Sequence, residues 1–268
     1  MIGYRTTYKI FNLKIKKSIL YYSYIYKLNM ATFSLSEYLL TKEKINDIYS
    51  ILTVSHPKIE EQYGAISIVK VILNKEDKEA STLVIIPGYS ASSFMSGFES
   101  IMDGFDSYKN KYSVMYAVYW GPTVKTITDE YPKSAGDNKE EQYKLNEKIR
   151  IELAIVLDKI LRSPDMELTN ITLFGKSAGG GVSIHIAAMN SEVKYLYISC
   201  PGTNNYGEAL IDKKDLPIKL AWNKDDNKLE YTESQKFIEV FEKNKNDFKF
   251  YSYETGGHEF NPLFIQEL

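Results

Sequence analysis

A chain of 268 residues with 44% apolar and 25% charged residues has material for one large buried core and the balance of an ordinary globular protein. Its formal net charge of −2, with no basic stripe carrying interleaved stacking aromatics, argues against a nucleic-acid partner. Cys200 is the only cysteine, which excludes an internal disulfide, argues against a cysteine-based metal site and fits a reducing, cytoplasmic setting.

Residues 1–33 are set apart as an N-terminal extension of unassigned role. Lys14, Lys16 and Lys17 precede the run Ser18–Tyr26, a layout that superficially resembles a signal peptide. The run is short, half of it is tyrosine, Lys27 interrupts it and no small-residue cleavage site follows. It is also too short to cross a bilayer, so no stable membrane insertion is expected. Residues 34–62 follow as a helix and linker: Ser34 and Glu37 fit a capping box that opens a helix to about Leu52, and Pro57 lies in the linker.

From Tyr63 the pattern changes. Ala65–Leu73, Ser81–Pro87 and Tyr112–Trp120 read as strands, and Glu147–Leu161 carries apolar residues at helical spacing. Asn170–Phe174 is a further β-type run, followed by helical spacing from Gly180 to Met189. Val193–Cys200, Pro217–Trp222 and Phe248–Tyr253 complete the strand-like runs, with helical Thr232–Asn244 among them. Near-continuous apolar strands alternating with helices predict an α/β fold, a mostly parallel sheet covered on both faces. In such sheets ligands bind beyond the carboxyl ends of the strands.

Gly175-Lys176-Ser177-Ala178-Gly179 sits between a strand-like run and a helical one. A serine on so sharp a strand-to-helix turn needs glycine on either side, and the turn lifts its hydroxyl clear of the sheet. Asp225-Asp226 follow the Pro217–Trp222 strand, and Gly256-Gly257-His258 follow Phe248–Tyr253. Other motif readings fail here. A phosphate-binding loop needs glycine at position 170, which is Asn, and a dinucleotide fingerprint needs glycine where Ile184 stands.

With the G-x-S-x-G turn and the order serine, acid, histidine, the chain from about Tyr63 to Leu268 resembles the α/β-hydrolase superfamily, in particular its esterase-like serine hydrolases. The resemblance covers roughly three quarters of the sequence and implies one catalytic domain over residues 63–268. It implies Ser177 as nucleophile, His258 as general base and then acid, and an aspartate that orients the imidazole. Asp226 fits the family spacing better, with Asp225 as the alternative acid. It further implies an oxyanion hole from the backbone N–H groups of Ala178 and Tyr89, although Pro87 stands where many members carry histidine. No cofactor and no metal are implied.

The expected activity is cleavage of a small-molecule carboxylic ester or thioester through an acyl-serine. A peptidase, an acyltransferase or a non-catalytic binding protein on the same fold are the alternatives. The short segment Pro201–Leu216 predicts no large cap domain, and polar Thr123–Gln142 suits a smaller flap. Tyr89, Phe94, Phe98, Tyr119, Trp120, Tyr206 and Trp222 fit either ordinary packing or an apolar pocket at the site. His185 reads as a core residue, His56 as exposed, and Cys200 as a small buried hydrophobe. Substrate and oligomeric state are not encoded in any pattern of the sequence.

Overall fold

In the computed structural model, which describes residues 39–44, 49–55, 66–73, 81–88, 111–119, 139–163, 166, 168 and 170–268, the strand-like runs pair into one mostly parallel sheet. Its strands are β1 (Leu39–Lys44), β2 (Tyr49–Ser55), β3 (Ile66–Ile72), β4 (Ser81–Ile86), β5 (Tyr112–Tyr119), β6 (Ile171–Lys176), β7 (Val193–Ser199), β8 (Ile218–Asn223) and β9 (Phe248–Tyr253). Their order across the sheet is β1-β2-β3-β5-β4-β6-β7-β8-β9. From β5 to β9 every neighbouring pair is parallel, while β1, β2 and β3 add antiparallel at the other side.

Four helices are described: α1 (Lys139–Leu161), α2 (Ala178–Met189), α3 (Glu233–Asn244) and the short α4 (Pro262–Ile265). None is long and apolar enough to cross a membrane. On β4, Leu83 and Ile85 enter a buried cluster with Phe174, Tyr197, Phe260, Phe264, Ile265 and Leu268. Strand alternation turns Val84 and Ile86 to the opposite face, and both are fully buried as well, so both faces of the central strands are covered. Helices α1 and α2 pack on each other, and α2 packs on β6 and β7.

Two expectations for the first half of the chain change. Of the helix expected from Ser34 to Leu52, residues 39–44 and 49–52 are instead in β1 and β2, and residues 34–38 and 45–48 lie outside the described residues. The apolar positions of that segment satisfy a helical spacing, but β2 is rich in β-branched residues (Ile51, Thr53, Val54) and its backbone pairs with β3, Leu52 opposite Ile68. Sheet pairing therefore overrides the local helix-start signal. Helix α1 also begins at Lys139, two turns before the expected Glu147, because that first part is polar and shows no apolar period. The last four residues of the expected flap, 139–142, are thus helical, and the rest of it lies outside the described residues. Between β7 and β8 the chain holds only one 3-10 turn, Glu208–Leu210, and no cap domain.

Candidate active site

The turn between β6 and α2 holds Ser177 at φ 53° and ψ −126°, a conformation that non-glycine residues rarely adopt. Close packing keeps it there. A Cβ on Gly175 would fall 2.4 Å from Ser183 Oγ, and one on Gly180 2.8 Å from Pro201 Cβ. At Gly179 a Cβ would lie 2.1 Å from the carbonyl oxygen of Ile86 and 2.2 Å from that of Pro87. Gly179 lets α2 approach the end of β4 at backbone distance, while Gly175 and Gly180 let it close on β6 and on Pro201 beyond β7. Gly179→Ala is accordingly expected to cost about 3 kcal/mol or more, read as a lowered urea midpoint, since only backbone can move aside.

Gly88, just beyond β4, sits against the serine: a Cβ there would lie 3.2 Å from Ser177 Cβ and 3.5 Å from its Oγ. Gly202, beyond β7, donates its N–H to the Ser177 carbonyl at 2.7 Å. Ala178 is the first residue of α2, so its N–H has no carbonyl one turn back to bond. Tyr89, expected as the other oxyanion donor, lies outside the described residues.

His258 comes to Ser177 from the segment after β9. Its Nε2 lies 3.0 Å from Ser177 Oγ, and its Nδ1 lies 3.0 and 2.9 Å from the two carboxylate oxygens of Asp226. With the carboxylate accepting at Nδ1, the ring takes the Nδ1–H tautomer and leaves Nε2 free to accept the serine proton. The Asp226 side chain is fully buried, and its Oδ1 accepts the N–H groups of Lys228 and Leu229 at 2.9 Å each. Burial works to raise its pKa. The His258 ring and the two backbone donors outweigh that and hold the carboxyl below its ordinary range.

Asp225 takes a different position. Its oxygens accept the N–H groups of Gly257 at 2.7 Å and Gly256 at 3.2 Å, and it does not reach the imidazole. Both glycines have positive φ, 144° and 55°. Asn223, at the end of β8, supports the same segment by donating to the carbonyls of Gly257 and Glu259.

Sequence reasoning missed three neighbours of the site. Lys176, before the serine, is buried, and its Nζ lies 3.0 Å from Glu259 Oε2, directly after the histidine. Cys200 is buried as expected, but its Sγ lies 3.7 Å from His258 Nδ1. Its sulfur, the Asp226 carboxylate and the imidazole lie within 4.8 Å of one another. Burial, and then the Asp226 charge, push the thiol up to about 12, so a neutral thiol rather than an anionic sulfur faces the ring.

The third is Glu147 of α1, whose carboxylate lies 2.7 Å from His185 Nε2 and accepts from Thr203 Oγ1 and the Asn204 N–H. It thereby fixes the loop that follows Gly202. Burial opposes its ionisation, but the His185 bond and charge, Arg150 and Thr203 bring the carboxyl down to about 2. A depressed folded-state pKa stabilises the fold above the unfolded value, and that contribution is lost as pH falls from about 4.5 to about 2. It amounts to roughly 3 kcal/mol, so Glu147→Gln is expected to flatten the loss of stability across that window in denaturant titrations.

Two of the aromatics left open between packing and a pocket belong to packing. Trp222 is buried against Phe237 and donates its indole N–H to the Leu229 carbonyl. Tyr206 packs on Phe237 and bonds Glu233. His185 is the core residue expected. His56, Phe94, Phe98, Trp120 and the side chain of Tyr119 lie outside the described residues.

The model of the dienelactone hydrolase family matches residues 115–262, more than half of the chain, a span that holds Ser177, Asp226 and His258. The chain belongs to the dienelactone hydrolase family. As a member of that family it is an α/β-hydrolase and an enzyme of the carboxylic ester hydrolase kind. Among solved structures, a CE1 ferulic acid esterase from the anaerobic fungus Anaeromyces mucronatus is similar at 15% identity and TM-score 0.58, covering 85% of this chain and 91% of that one. The acetyl xylan esterase from Paenibacillus sp. R4 is similar at 12% identity and TM-score 0.54, covering 91% and 90%. A predicted CIB-like hydrolase from Thermoplasma acidophilum is similar at 17% identity and TM-score 0.51, covering 86% and 92%. At these identities the three establish the shared fold of the dienelactone hydrolase family member and nothing finer.

Proposed function

We propose that this protein cleaves a small carboxylic ester or thioester through an acyl-serine intermediate. The observation that carries the reading is the continuous relay from Ser177 Oγ through the His258 ring to the buried Asp226. Ser177 Oγ attacks the substrate carbonyl while its proton passes to His258 Nε2. Asp226 keeps the ring in the Nδ1–H tautomer and stabilises the imidazolium that forms. The negative oxygen of the tetrahedral intermediate accepts hydrogen bonds from the N–H groups of Ala178 and Tyr89. His258 then gives its proton to the leaving alcohol or thiol, the acyl group stays on Ser177, and water activated by the same imidazole releases the acid. Membership of the dienelactone hydrolase family and the likeness to proteins described as ferulic acid and acetyl xylan esterases support ester chemistry. A cytoplasmic location suits a chain whose single cysteine stays a thiol.

A fluorophosphonate tests this directly, because it phosphonylates only an activated serine. The native protein is expected to be labelled on the peptide that contains Ser177 and to hydrolyse p-nitrophenyl esters of short acyl chains. A folded native protein that neither labels nor hydrolyses would overturn the reading and favour a binding role. Added alcohol that diverts the acyl group away from water would point to acyl transfer.

A further inference from the structure

Ser177 and His258 are joined to each other once by the hydrogen bond just described, and their chain neighbours are joined as well. Lys176 precedes the serine and Glu259 follows the histidine, and their Nζ and Oε2 lie 3.0 Å apart, the same distance as Ser177 Oγ to His258 Nε2. The two contacts link the same two segments in adjacent positions. Their anchorage differs. Lys176 is the last residue of β6, held by its backbone pairing to Ser199 of β7. Glu259 belongs to the segment after β9, whose Gly256 and Gly257 have positive φ and whose course is set by hydrogen bonds from outside it.

The burial is equally uneven: the Lys176 side chain is 2% exposed and the Glu259 side chain 63%. The ammonium also lies 4.9 Å above the ring of Phe260, itself part of the buried cluster. A buried ammonium without an anion is costly, so the lysine has a strong reason to keep the carboxylate where it is. Cation-π contact with Phe260 fixes the side chain from a second direction.

We infer that the Lys176–Glu259 pair is a positioning element for the reaction, a second rung that holds His258 at attacking distance from Ser177. The inference rests on the serine-hydrolase reading above. Neither residue touches the reacting atoms, so both act through the placement of the imidazole. The charged and titratable groups around that ring are Asp226 on Nδ1, the Cys200 thiol, Glu259 on its own segment, Lys176 from β6, and Asp225 on the neighbouring glycine amides.

Glu259→Gln, Lys176→Met and the double variant test the rung, with p-nitrophenyl acetate as substrate, kcat and KM followed across pH, and melting temperature alongside. Each single variant is expected to lower kcat roughly fivefold with KM little changed, and the double variant no further than the worse single one, as for one shared interaction. The acidic limb of the pH profile adds a signature that general loosening would not produce. Removing the carboxylate is expected to move it down by about half a pH unit, removing the ammonium to move it up by a similar amount, and removing both to return it near its original place. If Glu259→Gln weakens folding, the double variant, which leaves no orphaned charge, carries the comparison. Unchanged kcat in the single variants, or losses that multiply in the double, overturn the rung while leaving the serine-hydrolase reading standing. No hydrolysis by the native protein overturns both.

Discussion

Ser177→Ala is expected to lower kcat by about ten-thousand-fold or more, and to abolish fluorophosphonate labelling, while the protein stays folded. On the proposed mechanism the side chain lost is the nucleophile, so the Asp226–His258 pair has no proton to accept and no covalent intermediate forms. The backbone consequences are separate. Ser177 sits at φ 53° and ψ −126°, where any side chain with a Cβ is strained, so alanine inherits the strain and the melting temperature barely moves. Glycine at the same position is relieved of it. Ser177→Gly is therefore expected to be equally inactive but more stable than the alanine variant by about 1 kcal/mol. Hydrolysis by Ser177→Ala at the native rate would sink the acyl-serine mechanism.

The adjacent aspartates provide the second large effect. Asp226→Asn is expected to cut kcat about ten-thousand-fold, because an amide facing Nδ1 favours the wrong tautomer and cannot stabilise an imidazolium. Asp225→Asn keeps one acceptor oxygen for the amides of Gly256 and Gly257 and leaves the imidazole with its carboxylate. Its loss is expected to be roughly tenfold, from looser placement of His258. Steady-state rates of the two variants, with circular dichroism to verify folding, decide the matter. A larger loss at Asp225 than at Asp226 would reverse the roles assigned to them.

The parallel part of the sheet was legible in the sequence because each of its strands is a short apolar run bounded by turn residues. Ser81–Ile86 and Phe248–Tyr253 coincide with their runs almost residue for residue. The same holds for the strand and helix that flank Ser177, where the glycines flanking the serine fix the local geometry. Residues 34–52 were not legible. Leu39, Leu40, Tyr49 and Leu52 satisfy a helical spacing, and what decides their state is pairing of β1 with β2 and of β2 with β3, partners beyond local pattern. The choice between Asp225 and Asp226 was settled only as a preference by spacing, since neighbours one residue apart differ in which way the turn after β8 directs them. Lys176–Glu259 and Glu147–His185 were invisible for a plainer reason: charged residues far apart in the chain carry no period that announces their pairing.

The separation along the chain of the groups proposed to react also bears on how the molecule becomes active. Ser177 and His258 are 81 residues apart, and Asp226 and His258 are 32 apart. Between them lie the crossovers that lay β7, β8 and β9 side by side in parallel, a topology rich in distant contacts and slow to nucleate. The antiparallel ladder of β1, β2 and β3 joins strands that follow one another directly, and so can pair early. A refolding chain will therefore regain much of its secondary structure while still inert, and turnover returns only when its slowest, most distant pairings have closed.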